Sequence, residues 1–384
     1  MKIAVVAAFY THKNSGMLTV DMSVIGFIRR HFPEAELTLY SFGKADLSAY
    51  DSGSLGYRHV SLQENFQDLR EADRILYWGD FLHNIRYWEE ALIPRALQHG
   101  ISGSEQEARD LVYRLHSLEH EDAALLEKTV SFGTTIYNIG PKDLQNPRYV
   151  AALERIVGKS RACGFRDPIS ASHGSAFQPE SRCLGIDGAF LLHDDDLAIC
   201  PGYMPTSTKN HIGIFFGRTQ RFDALMLFSH MIGHRLKMPL AWVPWLETRS
   251  RQRVAGMIGV RSAGSDSLPG SVFSYLRTCK FIITDTYHLT INAWRMGIPA
   301  ICIGSSENKP SAMLNDKKKD ILYQMIGANP FYVELGSITN MLRAKSRADR
   351  MAATISDTAL ADGVRGHIQR HRKRCEDMLV TALG

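Results

Sequence analysis

His288 lies in the segment whose residue types point most directly to chemistry. The apolar run 281–284 predicts a buried strand and 287–296 has helical spacing, so His288 falls in the first turn of a helix that follows a strand. Backbone amides and the helix dipole favour anions at such a position. A histidine there can donate to a phosphate or act as a general acid. A capping or core histidine explains the position from sequence alone equally well.

Arg166 follows a second apolar run, 161–165, which predicts another strand. Asp167 and Pro168 come next and are typical of the start of a helix. An arginine at the end of a strand can hold a carboxylate or a phosphate with two parallel hydrogen bonds. The alternative is an ordinary surface ion pair between an arginine and an aspartate.

Polar side chains also follow the strands predicted in the first half of the chain. Tyr10 and Asn14 come after the first strand, and Asp80 and His83 come after another. Hydroxyl, amide and carboxylate groups beside aromatic rings suit a sugar, and Asp80 or His83 is placed to deprotonate one of its hydroxyls. Polar residues are common at strand ends, so this acceptor site has an ordinary alternative.

The elements that carry these residues alternate between short apolar runs and amphipathic stretches. This alternation predicts parallel sheets with crossover helices. Strands are expected at 2–9, 36–40, 74–78, 128–132, 161–165, 187–192, 211–216, 240–243, 281–284 and 300–303, and helices at 19–31, 104–128, 147–159, 222–234, 271–278 and 287–296. A polar stretch at 194–209 reads as a linker. We therefore expect an α/β protein of two Rossmann-like domains facing a cleft: an N-terminal domain 1–205 (acceptor side), a C-terminal domain 206–345 (donor side), and a basic helical segment 346–384.

Composition excludes several other classes of protein. The net charge of +5 is mild, and no basic and aromatic run suits a nucleic-acid groove. The six cysteines form no CxxC pair, which argues against a zinc ribbon or a disulfide framework and favours a reducing cytoplasm. No apolar run is long enough for a transmembrane helix, no GxGxxG follows the first strand, and the acidic triplet 194–196 is more typical of a linker than of a metal site. The basic run 370–374 is typical of a solvated helix face, with peripheral contact to an anionic membrane as the alternative.

The order of these motifs resembles the polysaccharide pyruvyl transferase family over roughly residues 70–310. The matching parts, in order, are the strand that leads into a glycine-containing loop at 73–80, Arg166-Asp167-x-x-Ser170, Asp187-Gly-Ala-Phe190, and a strand followed by His288, a helix, Gly297-Ile-Pro299, a strand and Lys309. The resemblance implies a GT-B-like fold. It also implies transfer of the pyruvyl group of phosphoenolpyruvate onto two hydroxyls of a sugar in a bacterial polysaccharide, such as an exopolysaccharide or capsule, or in its lipid-linked precursor.

The resemblance also assigns roles to individual residues. Arg166, His288 and Lys309 match family positions that contact or activate the donor, with His288 as the catalytic acid, and no cofactor is implied beyond phosphoenolpyruvate as co-substrate. The chain departs from the family at Thr286, where an arginine is usual; Arg218 and Arg295 are the candidates to replace it. Two alternatives stay open: a GT-B glycosyltransferase that uses a nucleotide sugar, and a catalytically silent carbohydrate-binding relative. We expect a cytoplasmic protein, and peripheral association with the inner face of the membrane is the alternative.

Overall fold

The computed structural model describes residues 1–7, 15–43, 57–177, 183–200, 202–204, 210–246, 249–262, 269–305 and 316–384. These residues form two compact units. The first contains the chain up to Leu192 together with His371–Gly384, and the second begins at His193 and ends at Arg370. The expected boundary at 205 therefore moves to 192, and the C-terminal segment is divided between the two units instead of standing apart.

The first unit is a seven-stranded sheet in which every paired neighbour is parallel, in the order β3-β2-β1-β4-β5-β6-β7. Ile3–Ala7 are at most 2% exposed, as expected for a parallel strand covered on both faces. The strands are β1 (Lys2–Ala7), β2 (Glu36–Ser41), β3 (Arg58–Ser61), β4 (Arg74–Trp78), β5 (Thr129–Thr134), β6 (Ala162–Phe165) and β7 (Cys183–Leu184).

The helices of the first unit connect these strands. They are α1 (Ser15–His31), α2 (Ile85–Tyr87), α3 (Ile93–Gln98), α4 (Glu105–Ser117), α5 (Ala123–Glu127), α6 (Pro147–Leu153) and α7 (Pro168–Gly174). The prediction of a single helix at 104–128 is wrong, because the structure has two helices there, α4 and α5. Leu118 and His120 have positive φ angles of 54° and 68°, which end α4 before Asp122 caps α5.

The second unit is a six-stranded parallel sheet in the order β10-β9-β8-β11-β12-β13. Its strands are β8 (His211–Phe215), β9 (Leu240–Trp242), β10 (Arg261–Ser262), β11 (Cys279–Thr284), β12 (Ala300–Gly304) and β13 (Tyr332–Glu334). Its helices are α8 (Phe222–Leu236), α9 (Arg249–Met257), α10 (Pro269–Arg277), α11 (Tyr287–Arg295), α12 (Lys317–Met325), α13 (Met341–Ser356) and α14 (Thr358–Leu383), the last of which continues into the first unit.

The expected class of two Rossmann-like parallel-sheet domains is confirmed, with one strand misplaced. The expected strand at 187–192 is a 3₁₀ turn, Gly188–Leu191, because the Asp187 carboxylate accepts from the backbone amide of Ala189 and starts the turn. β7 closes the sheet instead. Among the described residues, no helix is both long and apolar enough to cross a bilayer.

Strand order reverses once in each sheet, between β1 and β4 and between β8 and β11. Ligands of open parallel sheets collect at the carboxyl ends of the strands beside such a reversal. In the second unit, the loop after β8 carries Arg218 and the turn after β11 carries His288. In the first unit, the loop after β4 carries Asp80.

Candidate functional site

His288 is the second residue of α11, directly beyond the carboxyl end of β11. Its side chain is half-buried, and its ring lies edge-on to the ring of Tyr287 with 5.3 Å between centroids. Thr286 occupies the N-cap position in an extended conformation, and its side chain does not cap the first turn. The N-cap side chain therefore accepts no hydrogen bond from the first turn of α11, and backbone amide groups at a helix start can bind an anion.

The Thr286 hydroxyl lies 3.2 Å from a carboxylate oxygen of Asp285 instead. Asp285 is 2% exposed and accepts backbone hydrogen bonds from three consecutive residues, Gly217 at 2.9 Å, Arg218 at 3.0 Å and Thr219 at 2.7 Å. A carboxylate that accepts several backbone N–H groups forms charge-assisted bonds, which are stronger than bonds between neutral groups. Asp285 therefore ties the loop after β8 to the turn after β11.

Arg251 of α9 holds the same loop through its carbonyl groups. Its guanidinium donates to the oxygen of Phe216 at 2.8 Å and to that of Thr219 at 3.0 Å. The loop 217–219 is thus fixed by an anion at its three amide groups and by a cation at the carbonyl groups of Phe216 and Thr219. The exposed Arg218 side chain projects from this fixed loop, next to the turn that carries His288.

The structure therefore brings two of the residues predicted from sequence, Arg218 and His288, to adjacent loops of one unit. Sequence analysis missed Asp285, whose signal was a carboxylate between a buried strand and a helix start. It also missed Lys318, whose ammonium lies 5.4 Å above the ring of Tyr287 and adds a cation near the start of α11. Lys309 lies outside the described residues.

The position of Arg295 argues against it as a replacement for the arginine that was expected at Thr286. Its side chain is 1% exposed and binds the side-chain oxygen of Asn292 at 3.2 Å and a carboxylate oxygen of Asp194 at 3.2 Å. It also lies seven residues beyond His288, or about 10 Å along the helix axis at 1.5 Å per residue. Asp194 pairs with Arg277 as well, at 2.6 Å. In the described part of the chain, no group of three or more His, Cys, Asp or Glu residues is placed to hold a metal ion.

Arg166 lies directly after β6 and is the centre of a buried charge cluster in the first unit. Its side chain is 3% exposed, and one guanidinium nitrogen lies 3.1 Å from Asp187 and 3.4 Å from Asp80. The guanidinium also lies over the ring of Phe81, 5.2 Å from its centroid. The ion pair considered as the ordinary alternative is therefore present, but it is buried and involves Asp80 and Asp187, not the adjacent Asp167.

Asp167 caps α7 and organises the residues next to Arg166. Its carboxylate accepts from the backbone amide of Ser170 at 2.8 Å, from the Ser170 hydroxyl at 2.7 Å, and from the Thr135 hydroxyl at 2.6 Å. Asp80 has a positive φ of 46°, and its carbonyl accepts from the amide of Thr135 at 2.8 Å. The loops after β4, β5 and β6 are thus joined at one edge of the sheet, where the Asp80 side chain is 18% exposed.

His83 was expected to face the acceptor, but the structure places it in the core. It is 1% exposed, with Nδ1 2.9 Å from the carbonyl oxygen of His116 and Nε2 2.9 Å from the hydroxyl of Ser131. Because a carbonyl only accepts, Nδ1 carries the proton, and burial lowers the pKa of His83 to about 4. This placement argues against His83 as an acceptor base and favours a structural role. Tyr10 and Asn14 lie outside the described residues.

Comparison with known proteins adds a family and a fold. Residues 22–307 match the family model described as polysaccharide pyruvyl transferase. None of the curated proteins compared with the chain matches it significantly.

Several solved structures share the fold at low sequence identity. The UDP-GlcNAc 2-epimerase of Methanocaldococcus jannaschii is 10% identical with a TM-score of 0.53, over 92% of this chain and 93% of that one. MnaA of S. aureus, solved with UDP, is 11% identical with a TM-score of 0.54, over 95% and 90%. HepE of Anabaena, also in complex with UDP, is 12% identical with a TM-score of 0.52, over 100% and 97%. The shared fold confirms the expected GT-B-like class.

Proposed function

Because the chain belongs to the polysaccharide pyruvyl transferase family, we propose that it transfers the pyruvyl group of phosphoenolpyruvate to two hydroxyls of a sugar. The product is a cyclic pyruvate ketal on a bacterial polysaccharide or on its lipid-linked precursor, and phosphate is released. One observation carries the assignment of the donor site: Asp285 ties the loop of Arg218 to the turn of His288, at the strand reversal of the second sheet.

The proposed reaction balances without an oxidant or a reductant. The methylene carbon of phosphoenolpyruvate gains a proton and becomes a methyl group. Two sugar oxygens form bonds to C2, while the bond between C2 and the phosphate oxygen breaks. Of the two protons that the sugar hydroxyls lose, one is equivalent to the proton gained by the methyl group, and the other leaves with phosphate.

The donor brings a phosphate and a carboxylate, whose charges need positive partners once water is removed. In the proposal, the Arg218 guanidinium and the amide groups that begin α11 bind the anionic donor. His288 gives the proton that makes C2 electrophilic or that assists departure of phosphate, because an imidazole titrates near neutral pH. The family resemblance also implies that Lys309 and Arg166 bind the donor, and these two roles remain predictions.

On the acceptor side, Asp80 is the remaining candidate base in the described part of the first unit. Its side chain is partly exposed, and its partner Arg166 is also paired with Asp187. A carboxylate held in place by a buried arginine can accept a hydrogen bond from a sugar hydroxyl. We propose that Asp80 orients or deprotonates one acceptor hydroxyl.

A thermal-shift comparison of phosphoenolpyruvate with a panel of nucleotide sugars tests the proposed donor. Stabilisation by phosphoenolpyruvate is expected, since a ligand that binds only the folded state raises the unfolding temperature. Stabilisation by a UDP-sugar alone would favour an enzyme that uses a nucleotide sugar, such as a GT-B glycosyltransferase; the MnaA and HepE structures were both solved with UDP. Stabilisation by neither would favour a silent carbohydrate-binding relative. Release of phosphate that depends on a saccharide, with a ketal detected on the product by mass spectrometry and NMR, would complete the test.

A further inference from the structure

Helix α9 in the second unit turns its large apolar side chains outward. Val254 is 48% exposed, Met257 is 78% exposed, and Ile258, directly after the helix, is 46% exposed. These three positions have the spacing i, i+3 and i+4, so they share one face. Ala255, which lies between them in the sequence, is fully buried. A surface helix normally buries its apolar stripe, so three exposed apolar side chains at this spacing are unusual.

Polar contacts hold α9 in this orientation. Arg251 donates to the carbonyl oxygens of Phe216 and Thr219 at 2.8 and 3.0 Å, and the side-chain amide of Gln252 donates to the hydroxyl of Ser262. These contacts bind α9 to the loop after β8 and to β10. Val254, Met257 and Ile258 are left as a fixed, exposed apolar surface.

The segment that carries these apolar side chains is basic. From Arg249 to Ser262 the sequence contains four arginines and no aspartate or glutamate. Arg253 and Arg261 are exposed, and Arg261 lies in β10, the edge strand of the sheet. Apolar side chains flanked by exposed arginines are the pattern of a helix that lies in the interface of an anionic bilayer.

We propose that the segment 249–262 docks the second unit onto an anionic lipid surface. Val254, Met257 and Ile258 enter the boundary between head groups and acyl chains, while Arg253 and Arg261 contact the lipid phosphates. The occupant must offer negative charge to the exposed arginines and an apolar layer to Val254, Met257 and Ile258. An anionic bilayer offers both at its head-group boundary, and a neutral partner lacks the charge. The proposal does not depend on the reaction proposed above.

Sequence analysis named the basic run 370–374 as the candidate for membrane contact, but the structure makes it a weaker candidate than the segment 249–262. Arg372 pairs with Glu376, Lys373 pairs with Asp377, and Arg374 donates to the carbonyl oxygen of Leu184. These three basic side chains therefore already have partners within the protein. The segment 249–262 combines exposed arginines with exposed apolar side chains, which the run 370–374 does not.

Co-sedimentation of the full chain with vesicles tests the proposal. One set of vesicles contains phosphatidylcholine alone, and the other contains equal amounts of phosphatidylcholine and phosphatidylglycerol. Binding is expected only to the second set and is expected to weaken with salt. Met257→Asp and Ile258→Asp should each weaken binding by at least about tenfold, the effect of withdrawing one buried apolar side chain. Removing the charge of Arg253 or Arg261 should weaken it by about fivefold.

Leu342→Asp is the matched control, because Leu342 is 81% exposed at the start of α13 and also stands next to an arginine. It should leave vesicle binding unchanged, and all variants should keep the wild-type unfolding temperature because the replaced side chains are exposed. Three results would overturn the proposal: no binding to anionic vesicles, equal loss in the Leu342 control, or a dimer in solution that Met257→Asp converts to a monomer. Turnover of a water-soluble saccharide should be unaffected by Met257→Asp, which separates this test from the test of the reaction.

Discussion

Replacing Asp285 by alanine removes the acceptor of three backbone N–H groups at once. Gly217, Arg218 and Thr219 all donate to this carboxylate, at 2.7 to 3.0 Å. An unsatisfied buried donor costs about 1–3 kcal/mol. Arg218 is exposed and its neighbours are half-buried, so water can reach part of the loop. We therefore expect a loss of roughly 2–4 kcal/mol in the free energy of unfolding for Asp285→Ala.

Asp285→Asn should lower the free energy of unfolding by a smaller amount, because the asparagine carbonyl oxygen can still accept. Some loss remains, because its NH₂ group would face backbone N–H donors. Both variants release the loop that carries Arg218, so the Michaelis constant for phosphoenolpyruvate should rise. A contact to a charged group contributes about 1.5–3 kcal/mol, which corresponds to a rise of about tenfold or more for the alanine variant. Arg218→Ala should add little in the Asp285→Ala background, since residues that act together are not additive.

Urea unfolding and steady-state phosphate release measure the two effects of Asp285→Ala. Asp223→Ala is the control, because Asp223 lies in the first turn of the helix after the same loop and its side chain is 75% exposed. An Asp285→Ala protein with wild-type stability and a wild-type Michaelis constant would refute the reasoning. A loss of stability with an unchanged Michaelis constant would show that the loop is structural and that Arg218 does not bind the donor.

The remaining predictions concern three other side chains. His288→Ala should lower turnover by about 10²–10⁴-fold with a smaller effect on donor affinity; His288→Gln keeps a hydrogen-bond donor but not the acid, so near-normal turnover in that variant would contradict acid catalysis. Arg166→Ala should lower the free energy of unfolding by about 3–5 kcal/mol, because it leaves the buried Asp187 carboxylate without its cation. It should also raise the Michaelis constant for phosphoenolpyruvate. The double variant Arg166→Ala, Asp187→Ala should recover part of the stability, and a double variant less stable than the single one would argue against the pair. Asp21 is 2% exposed with no hydrogen-bond partner for either carboxylate oxygen among the described residues, and burial raises its pKa. Its folded-state pKa is above the unfolded value of about 3.9, so its contribution to stability is lost as pH rises above that value; Asp21→Asn should gain stability relative to wild type between pH 5 and pH 8 in urea unfolding, and an equal difference at both pH values would show that Asp21 is not a buried acid.

The sequence alone determined the features that depend on neighbouring residues. The strand of β11 followed by a helix start placed His288 in the first turn of α11, as the structure has it. In the same way, the apolar run before Arg166 and the Asp-Pro pair after it marked the end of β6 and the start of α7. Hydrophobic periodicity and capping residues are local signals, so they fix the order of elements and, through the parallel arrangement, the edge of the sheet at which polar residues gather.

Tertiary structure decided which partners these residues have. Asp285 meets the loop 217–219 from 66 to 68 positions away, and Arg166 meets Asp80 from 86 positions away. His83 and Arg295 looked available from sequence, but their nitrogen atoms are bound in the interior of their units. Burial and pairing depend on what the fold packs against a side chain, and a local pattern does not contain that information. For this reason the sequence located the strand ends where chemistry is expected. Only the tertiary structure showed which polar residues near those ends are buried and paired, and which are exposed at the carboxyl ends of the strands.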